Sequence, residues 1–417
     1  MKRLNFLVIC ESIDVEDSSA TKGRLSLIKN LVNVGHQVKV YHYTRKDVYL
    51  DEIECVRIRE QKTSFVFILS KIQRLLWKLF KWNVNPIFER RLGFSFAYLN
   101  DVRSIELSLL KENNFKPDWV LTLSKAASFR VHKALLKIPK WHDKWLAYVH
   151  DPFPHHFYPR PYNWVEPGYF QKQEFFREVS RKSAHAIFPS QLLMEWMGSY
   201  YPDFIERGIV IPHQIMEGEE IETTFPLYFE DNKFTILHAG SLMKPRNPTG
   251  LIEGYKLFLS KNPDASSNSQ ILLIGKMTYF TKFLEEKLKE IPQLYISSGY
   301  VPFKEVQSMQ NATSVNVILE AKSEISPFLP GKFPHCVKAN KPILLLGPAI
   351  SESARLLGED YPYSCEIDDI KSIANKMETM FINWKNKSSQ SELNRPDLEH
   401  YLSYKNLKEI LKKLSKN

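Results

Sequence analysis

Residues 217–241 read EGEEIETTFPLYFEDNKFTILHAGS, and the change of character inside them decides how the chain is organised. Glu217 to Lys233 are acidic, broken by Pro226, and follow the period of neither helix nor strand, which suits an interdomain linker. At Phe234 the sequence turns apolar for one short run and stops at Gly240. A short apolar run closed by a glycine reads as a buried strand. A new series of elements therefore begins here, with another already complete upstream.

Upstream, the expected strands are LNFLVIC (4–10), QVKVYHY (37–43), CVRIR (55–59), WVLTLS (119–124), WLAYVH (145–150), AHAIFPS (184–190) and GIVIPH (208–213). Downstream they are FTILHAGS (234–241), QILLIGK (270–276), YISSGYV (295–301), SVNVILE (314–320) and PILLLGP (342–348). Helical patterns alternate with them, as from Arg24 to Val34, where Gly35 supplies a stop. Such alternation indicates parallel sheets covered by helices on both faces. The expected fold is α/β, two doubly wound Rossmann-like domains of about six strands each, facing a cleft. The expected boundaries are 1–212, a linker at 213–233, a second domain at 234–394, and a basic helical tail at 395–417.

The chain's 417 residues are more than one core usually holds, which agrees with two domains. The 43% hydrophobic and 25% charged composition excludes disordered and fibrous classes. A net charge of +10 favours anionic partners. Cys10, Cys55, Cys336 and Cys365 lie far apart with no paired spacing, so neither a disulfide framework nor a zinc knuckle is expected, and a reducing cytoplasm fits. The opening MKRLNFLVICESIDVED reads as a first strand rather than a secretory signal, because acidic residues follow the apolar run. No apolar stretch is long enough for a spanning helix.

Three segments fall at strand ends, where doubly wound sheets bind ligands. In HAGSLMKPRNPTGLIEGYKLF (238–258), Gly240 and Ser241 are followed by Lys244, Arg246 and Asn247. A glycine admits a ligand to the backbone, and cations just beyond it suit a diphosphate. A solvated basic turn is the competing reading. In EISPFLPGKFPHCVKANKPILLLGP (324–348), Pro330 and Gly331 shape a tight loop before a short helix from Lys332 to Ala339. Free N–H groups at that helix start suit phosphate, and an anion would offset the cost of placing Lys332 there. The third is LAYVHDPFPHHFYPRP (146–161), a strand running into proline-stiffened histidines. It reads as a rigid surface turn, as a metal site built from His150, Asp151, His155 and His156, or as the lip of an active site.

The chain resembles GT-B-fold glycosyltransferases, and is most similar to glycosyltransferase family 4. The matching pieces are NLVNVGHQVKVYHY (30–43), YVHDPFP (148–154), HAGSLMKPRNP (238–248) and SPFLPGKFPHCVKANKPILLLG (326–347), in the family's order and across both domains. The resemblance implies transfer of a sugar from a nucleotide diphosphate donor to a glycan or polyprenyl-linked acceptor, with retained configuration, in surface polysaccharide assembly. It implies His150 and Asp151 near the sugar and acceptor, Lys244 and Arg246 on the leaving diphosphate, and Lys332 also toward phosphate. Around these, Gly240, Ser241, Asn247, Pro330, Gly331, Phe333 and His335 fall on the donor side, and Phe153, His155, Tyr158 and Arg160 on the acceptor side. No cofactor and no metal are expected, since cations can stabilise the leaving group.

Two departures concern the donor. Pro327 and His335 stand where the family carries a pair of glutamates, and SIDVEDSSATKG (12–23) has only Gly23 where relatives carry a glycine pair. A nucleotide-sugar epimerase of the same fold, and a non-catalytic scaffold with a degenerate donor site, are therefore the competing functions. A nicotinamide oxidoreductase is disfavoured, since no G-x-G-x-x-G follows the first strand.

From Phe65 to Trp82, FVFILSKIQRLLWKLFKW is periodic as a helix, with Phe65, Ile68, Leu69, Ile72, Leu75, Leu76 and Leu79 on one face and Lys71, Arg74, Lys78 and Lys81 on the other. It reads either as a core helix with a solvated basic back or as a surface helix resting on anionic lipid, at the inner face of a cell membrane. No nucleic-acid motif accompanies the charge.

Overall fold

The computed structural model describes residues 2–15, 17, 19–216 and 225–414. The chain divides into two compact units: Met1–Tyr158 with Tyr162–Gln214 and Tyr404–Asn417, and Ile215–Ser403 with Pro159–Pro161.

The first unit is built on seven parallel strands: β1 (Asn5–Cys10), β2 (Gln37–His42), β3 (Glu54–Arg57), β4 (Trp119–Leu123), β5 (Trp145–Tyr148), β6 (His185–Phe188) and β7 (Gly208–Val210), in the order β3-β2-β1-β4-β5-β6-β7. Central parallel strands are covered on both faces, which is why they read as unbroken apolar runs. Val8 of β1 lies between Val40 and Leu121 and is fully buried. The helix Ser19–Asn33 ends as expected, with Gly35 at φ 97°.

The second unit repeats the plan. Its strands β8 (Phe234–Ala239), β9 (Ser269–Ile274), β10 (Leu294–Ile296), β11 (Val315–Leu319), β13 (Ile343–Leu346) and β15 (Ser364–Cys365) are ordered β10-β9-β8-β11-β13-β15. Two short strands, β12 (Ile325–Ser326) and β14 (Ile350–Ser351), pair separately. Ile236 lies between Ile271 and Val315 at the centre of the larger sheet. All twelve expected strands form; β12, β14 and β15 are two residues each, too short to carry a period. In both large sheets the order reverses next to the first strand, between β1 and β4 and between β8 and β11. These are the switch points at which such sheets leave a crevice.

Two boundary expectations change. The segment expected as a linker is not free where it is described: Phe229 is buried with Leu237 and Leu272, so residues 225–233 pack in the second unit, while 217–224 lie outside the described residues. The expected tail is likewise not separate. Leu398 and Leu402 join the second unit's core, and the helix Tyr404–Leu414 buries Leu407, Leu411 and Leu414 against Leu4, Leu27 and Leu31 of the first. The i, i+4, i+7 spacing of those leucines gives one apolar stripe, and burying each contributes about 1.5–3 kcal/mol.

The helix Phe65–Phe80 starts where Ser64 Oγ accepts from the Phe67 N–H (3.0 Å). It does not bury its apolar face. Ser70 and Gln73 are its buried residues, against the helix Phe96–Leu110, while Phe65 is 72% exposed and Leu79 61%. The core-helix reading is therefore excluded. Among the described residues no helix is long and apolar enough to cross a membrane.

Candidate functional site

In the second unit, β8 and β11 deliver their last residues to the switch point. Gly240 follows β8 with φ 154°, and a Cβ there would lie 3.0 Å from the Lys332 ammonium. The glycine thus admits a lysine to the strand end, where a ligand was expected. Gly275, after β9, has φ 134°, and a side chain on it would press within 2.7 Å of the Gly240 carbonyl oxygen. Both positions favour glycine for conformation and for space.

Lys332 immediately precedes the helix Phe333–Lys338, and its Nζ is 3.4 Å from His238 Nδ1. Burial, with the Arg246 charge adding to it, pushes the Lys332 ammonium down to about 7. His238 is fully buried, and its own pKa is held well below the usual imidazole value by burial and by the charges of Lys332 and Arg246. Opposite, at the end of β11, Glu320 is buried and accepts from Ser353 Oγ (2.6 Å). Burial raises its carboxyl to about 7 despite bonds from Ser353 and Ser326 and the charge of Arg246. Three buried polar atoms of this group have no hydrogen-bond partner among the described residues: His238 Nε2, Arg246 Nε and Glu320 Oε2. Orphaned polar atoms gathered at a strand-end crevice cost stability, and they are what a polar ligand satisfies.

Of the donor-side residues read from the sequence, Lys332, Gly240 and Arg246 come together. The others are distributed differently. Lys244 and Ser241 are exposed. Asn247 bonds locally: its Oδ1 accepts from the Thr249 N–H (3.0 Å) and Thr249 Oγ1 (2.6 Å), just before the helix Thr249–Lys261. Phe333 is wholly buried among Ile318, Leu329 and Leu345, so it is a core residue. The Pro330 carbonyl accepts the Phe333 N–H (2.8 Å), which closes the turn, and Gly331 is exposed with open space where a side chain would be. His335 is half-buried with its ring edge-on to Phe303 at 5.2 Å.

Sequence reasoning missed His238 and Glu320. The signal for Glu320 was present: a carboxylate closes the fully buried run VNVIL at a strand end, where burial must act on it.

In the first unit, His150 follows β5, and its Nε2 is 3.4 Å from Asp151 Oδ2. Burial first, then the charges of Arg24 and His213, hold the imidazole down at about 3, so it is neutral at ordinary pH. Arg24 spans the switch point between β1 and β4, donating to the carbonyls of Ser12 (3.4 Å) and Ser124 (3.0 Å). The sequence marked it only as the start of a helical pattern. Tyr158 hydrogen bonds Asp151, and burial and that charge raise its phenol well above the usual value. The His155 ring lies 5.6 Å from Tyr158 and 5.7 Å from Trp164.

Phe153, expected on the acceptor side, is instead core, 5.1 Å from Phe129 and 5.0 Å from Phe176 between ring centres. Arg160 is exposed and falls in Pro159–Pro161, which groups with the second unit. The histidines do not assemble as ligands: among the described residues no three His, Cys, Asp or Glu side chains are placed to hold a metal.

No protein-family profile matches the sequence, and no curated protein matches it. Solved structures do match over its whole length. A glycosyltransferase from Rickettsia africae is similar at 12% identity with a TM-score of 0.61, covering 100% of this chain and 98% of that one. HepE from Anabaena, in complex with UDP and glucose, is similar at 12% identity and TM-score 0.59, covering 100% of both. A trehalose-6-phosphate synthase, studied with bisubstrate glycomimetics for glycosyl transfer with retention, is similar at 14% identity and TM-score 0.60, covering 99% of both. At these identities the likeness establishes the two-domain, Rossmann-like α/β fold.

Proposed function

We propose that the protein is a glycosyltransferase, of the family 4 kind, that moves a sugar from a uridine diphosphate donor onto a glycan or lipid-linked acceptor with retention. The observation that carries this reading is the group of Lys332, His238, Arg246 and Glu320 at the β8/β11 switch point, with its three unpartnered polar atoms. The UDP complex of HepE and the retention studied in trehalose-6-phosphate synthase support the choice of donor and stereochemistry. Surface polysaccharide assembly at the cytoplasmic side of a membrane is the setting the reading favours.

The chemistry follows from charge. Breaking the bond between the anomeric carbon and the diphosphate leaves negative charge on the leaving oxygen, and fixed cations lower the barrier. Lys332 and Arg246 supply them. The neutral His150, whose Nε2 lacks a hydrogen-bond partner among the described residues, offers a hydrogen bond to a sugar or acceptor hydroxyl. His335 takes the donor's ribose or phosphate oxygens from beside Phe303.

The first test is thermal. At a hundredfold excess over Kd, a ligand that binds only the folded chain adds about 2.7 kcal/mol to its stability. UDP-glucose with a chelator present should raise the melting temperature, and a panel of other nucleotide sugars should raise it less. Stabilisation that strictly requires a divalent ion would remove the cationic account, and no response to any nucleotide sugar would remove the reading itself.

The second test is pH. A bound diphosphate favours protonated Lys332, whose free ammonium sits at about 7, so binding takes up a proton above that value. UDP-glucose affinity should be full below pH 7 and fall by up to about tenfold per pH unit above it. The diphosphate of UDP-glucose does not titrate there, so the slope reports the protein. Lys332→Met should flatten the profile. A flat profile in the unaltered protein would place the diphosphate away from Lys332.

A further inference from the structure

The segment from Phe65 to Leu92 is built the wrong way round for a globular surface. Its first helix turns Ser70 and Gln73 toward the protein and leaves Phe65, Ile68, Ile72, Leu75 and Leu79 between 47% and 72% exposed. A soluble surface helix normally does the reverse. The apolar surface continues past the helix end through Phe80 and Trp82, whose rings lie 5.3 Å apart, and into the next helix, Asn85–Leu92, where Ile87 is 61% exposed. A contiguous exposed apolar patch of this kind marks an interaction surface.

The charge around it selects the partner. Between residues 63 and 92 there are six basic side chains, Lys71, Arg74, Lys78, Lys81, Arg90 and Arg91, all exposed. The one acidic residue of the segment, Glu89, is half-buried and faces Lys172 at 3.9 Å. A second copy docked isologously would oppose these six cations to six more, which disfavours a homodimer. An anionic bilayer meets both features at once, with acyl chains for the apolar stripe and phosphates for the flanking cations. Tryptophans at the margin of such a stripe suit the headgroup level.

We propose that Phe65–Leu92 of the first unit is a membrane-docking element that inserts its exposed apolar stripe into an anionic lipid surface. The insertion is the new element: basic residues alone would hold a protein above the headgroups, whereas this stripe enters them. The proposal stands independently of the donor reading, since none of its residues belongs to the strand-end site.

The full chain is tested by flotation with vesicles of phosphatidylcholine alone and of phosphatidylcholine with phosphatidylglycerol. Binding to the anionic vesicles is expected at low salt and should persist in part at high salt, as insertion requires. The triple variant Ile72→Ser, Leu75→Ser, Leu79→Ser changes only exposed side chains, and should cut partitioning by about tenfold or more with the melting temperature and UDP-glucose response unchanged. Lys71→Glu with Lys78→Glu should weaken binding to anionic vesicles by a similar factor. Absence of binding by the unaltered chain, or a triple variant that floats as well as its parent, overturns the proposal. So does a stable dimer in sedimentation that becomes monomeric in the triple variant, because the patch would then be covered by a second copy.

Discussion

Lys332→Ala is expected to lower turnover by about a hundredfold while the protein remains folded. One preorganised cation or donor aimed at developing negative charge is worth about 3 kcal/mol in the transition state. Lys332 is preorganised in this sense: its ammonium is held beside His238 and above Gly240, where no side chain intervenes. Arg246→Ala should cost a similar factor, because the guanidinium sits in the same group with its Nε unpartnered. Removing Lys332 also relieves a desolvated ammonium, so the alanine variant should be no less stable than its parent. Single-turnover rates on the donor that stabilises the protein, with a melting curve for each variant, provide the measurement. Near-normal rates in both variants would move the leaving diphosphate elsewhere.

Glu320→Gln is expected to stabilise the protein in alkaline solution and to leave it unchanged in acid. The Glu320 carboxyl is raised from 4.5 to about 7 by burial. Between those values the unfolded chain releases its proton while the folded chain keeps it. The unfolded state is then favoured progressively as pH rises, and the loss is complete above pH 7. The gap corresponds to about 3 kcal/mol, an order of magnitude for a group this buried. A glutamine cannot ionise, keeps an oxygen to accept from Ser353, and fits the same space. Urea midpoints should therefore coincide near pH 4.5, and the variant should be the more stable by up to about 3 kcal/mol at pH 8. A parent that loses nothing relative to the variant across that window would mean that Glu320 is ionised and paired in the folded state. Retaining a carboxyl that costs stability is characteristic of functional sites.

Much of the candidate site was legible for one reason: strand ends are visible in sequence. FTILHAG announces both a buried strand and the glycine that closes it, and PGKF announces a turn into a helix. Lys332 and Gly240 could be named, because their place in the chain determines their place at the sheet edge. Phe333 and Phe153 were misread for a complementary reason. Each adjoins a residue in a strand-end segment, and adjacency along the chain does not say which way a side chain points. Phe153 and Phe333 both turn inward.

By itself the sequence determined the alternation of strand and helix, the twelve expected strands, and the restart at Phe234 that makes two Rossmann-like units. Those follow from local periodicity, since a parallel strand covered on both faces must be apolar throughout. Tertiary structure alone decided which groups are desolvated together. His238 and Glu320 are separated by 82 positions in the chain, and both come under the Arg246 charge only because β8 and β11 are neighbours in the sheet. It also decided what covers each apolar stripe. The leucines of Tyr404–Leu414 found the first unit's core, and Leu75 and Leu79 of Phe65–Phe80 found solvent. A hydrophobic period shows that a helix has a face to cover, whereas the covering surface is supplied by residues far away in the chain.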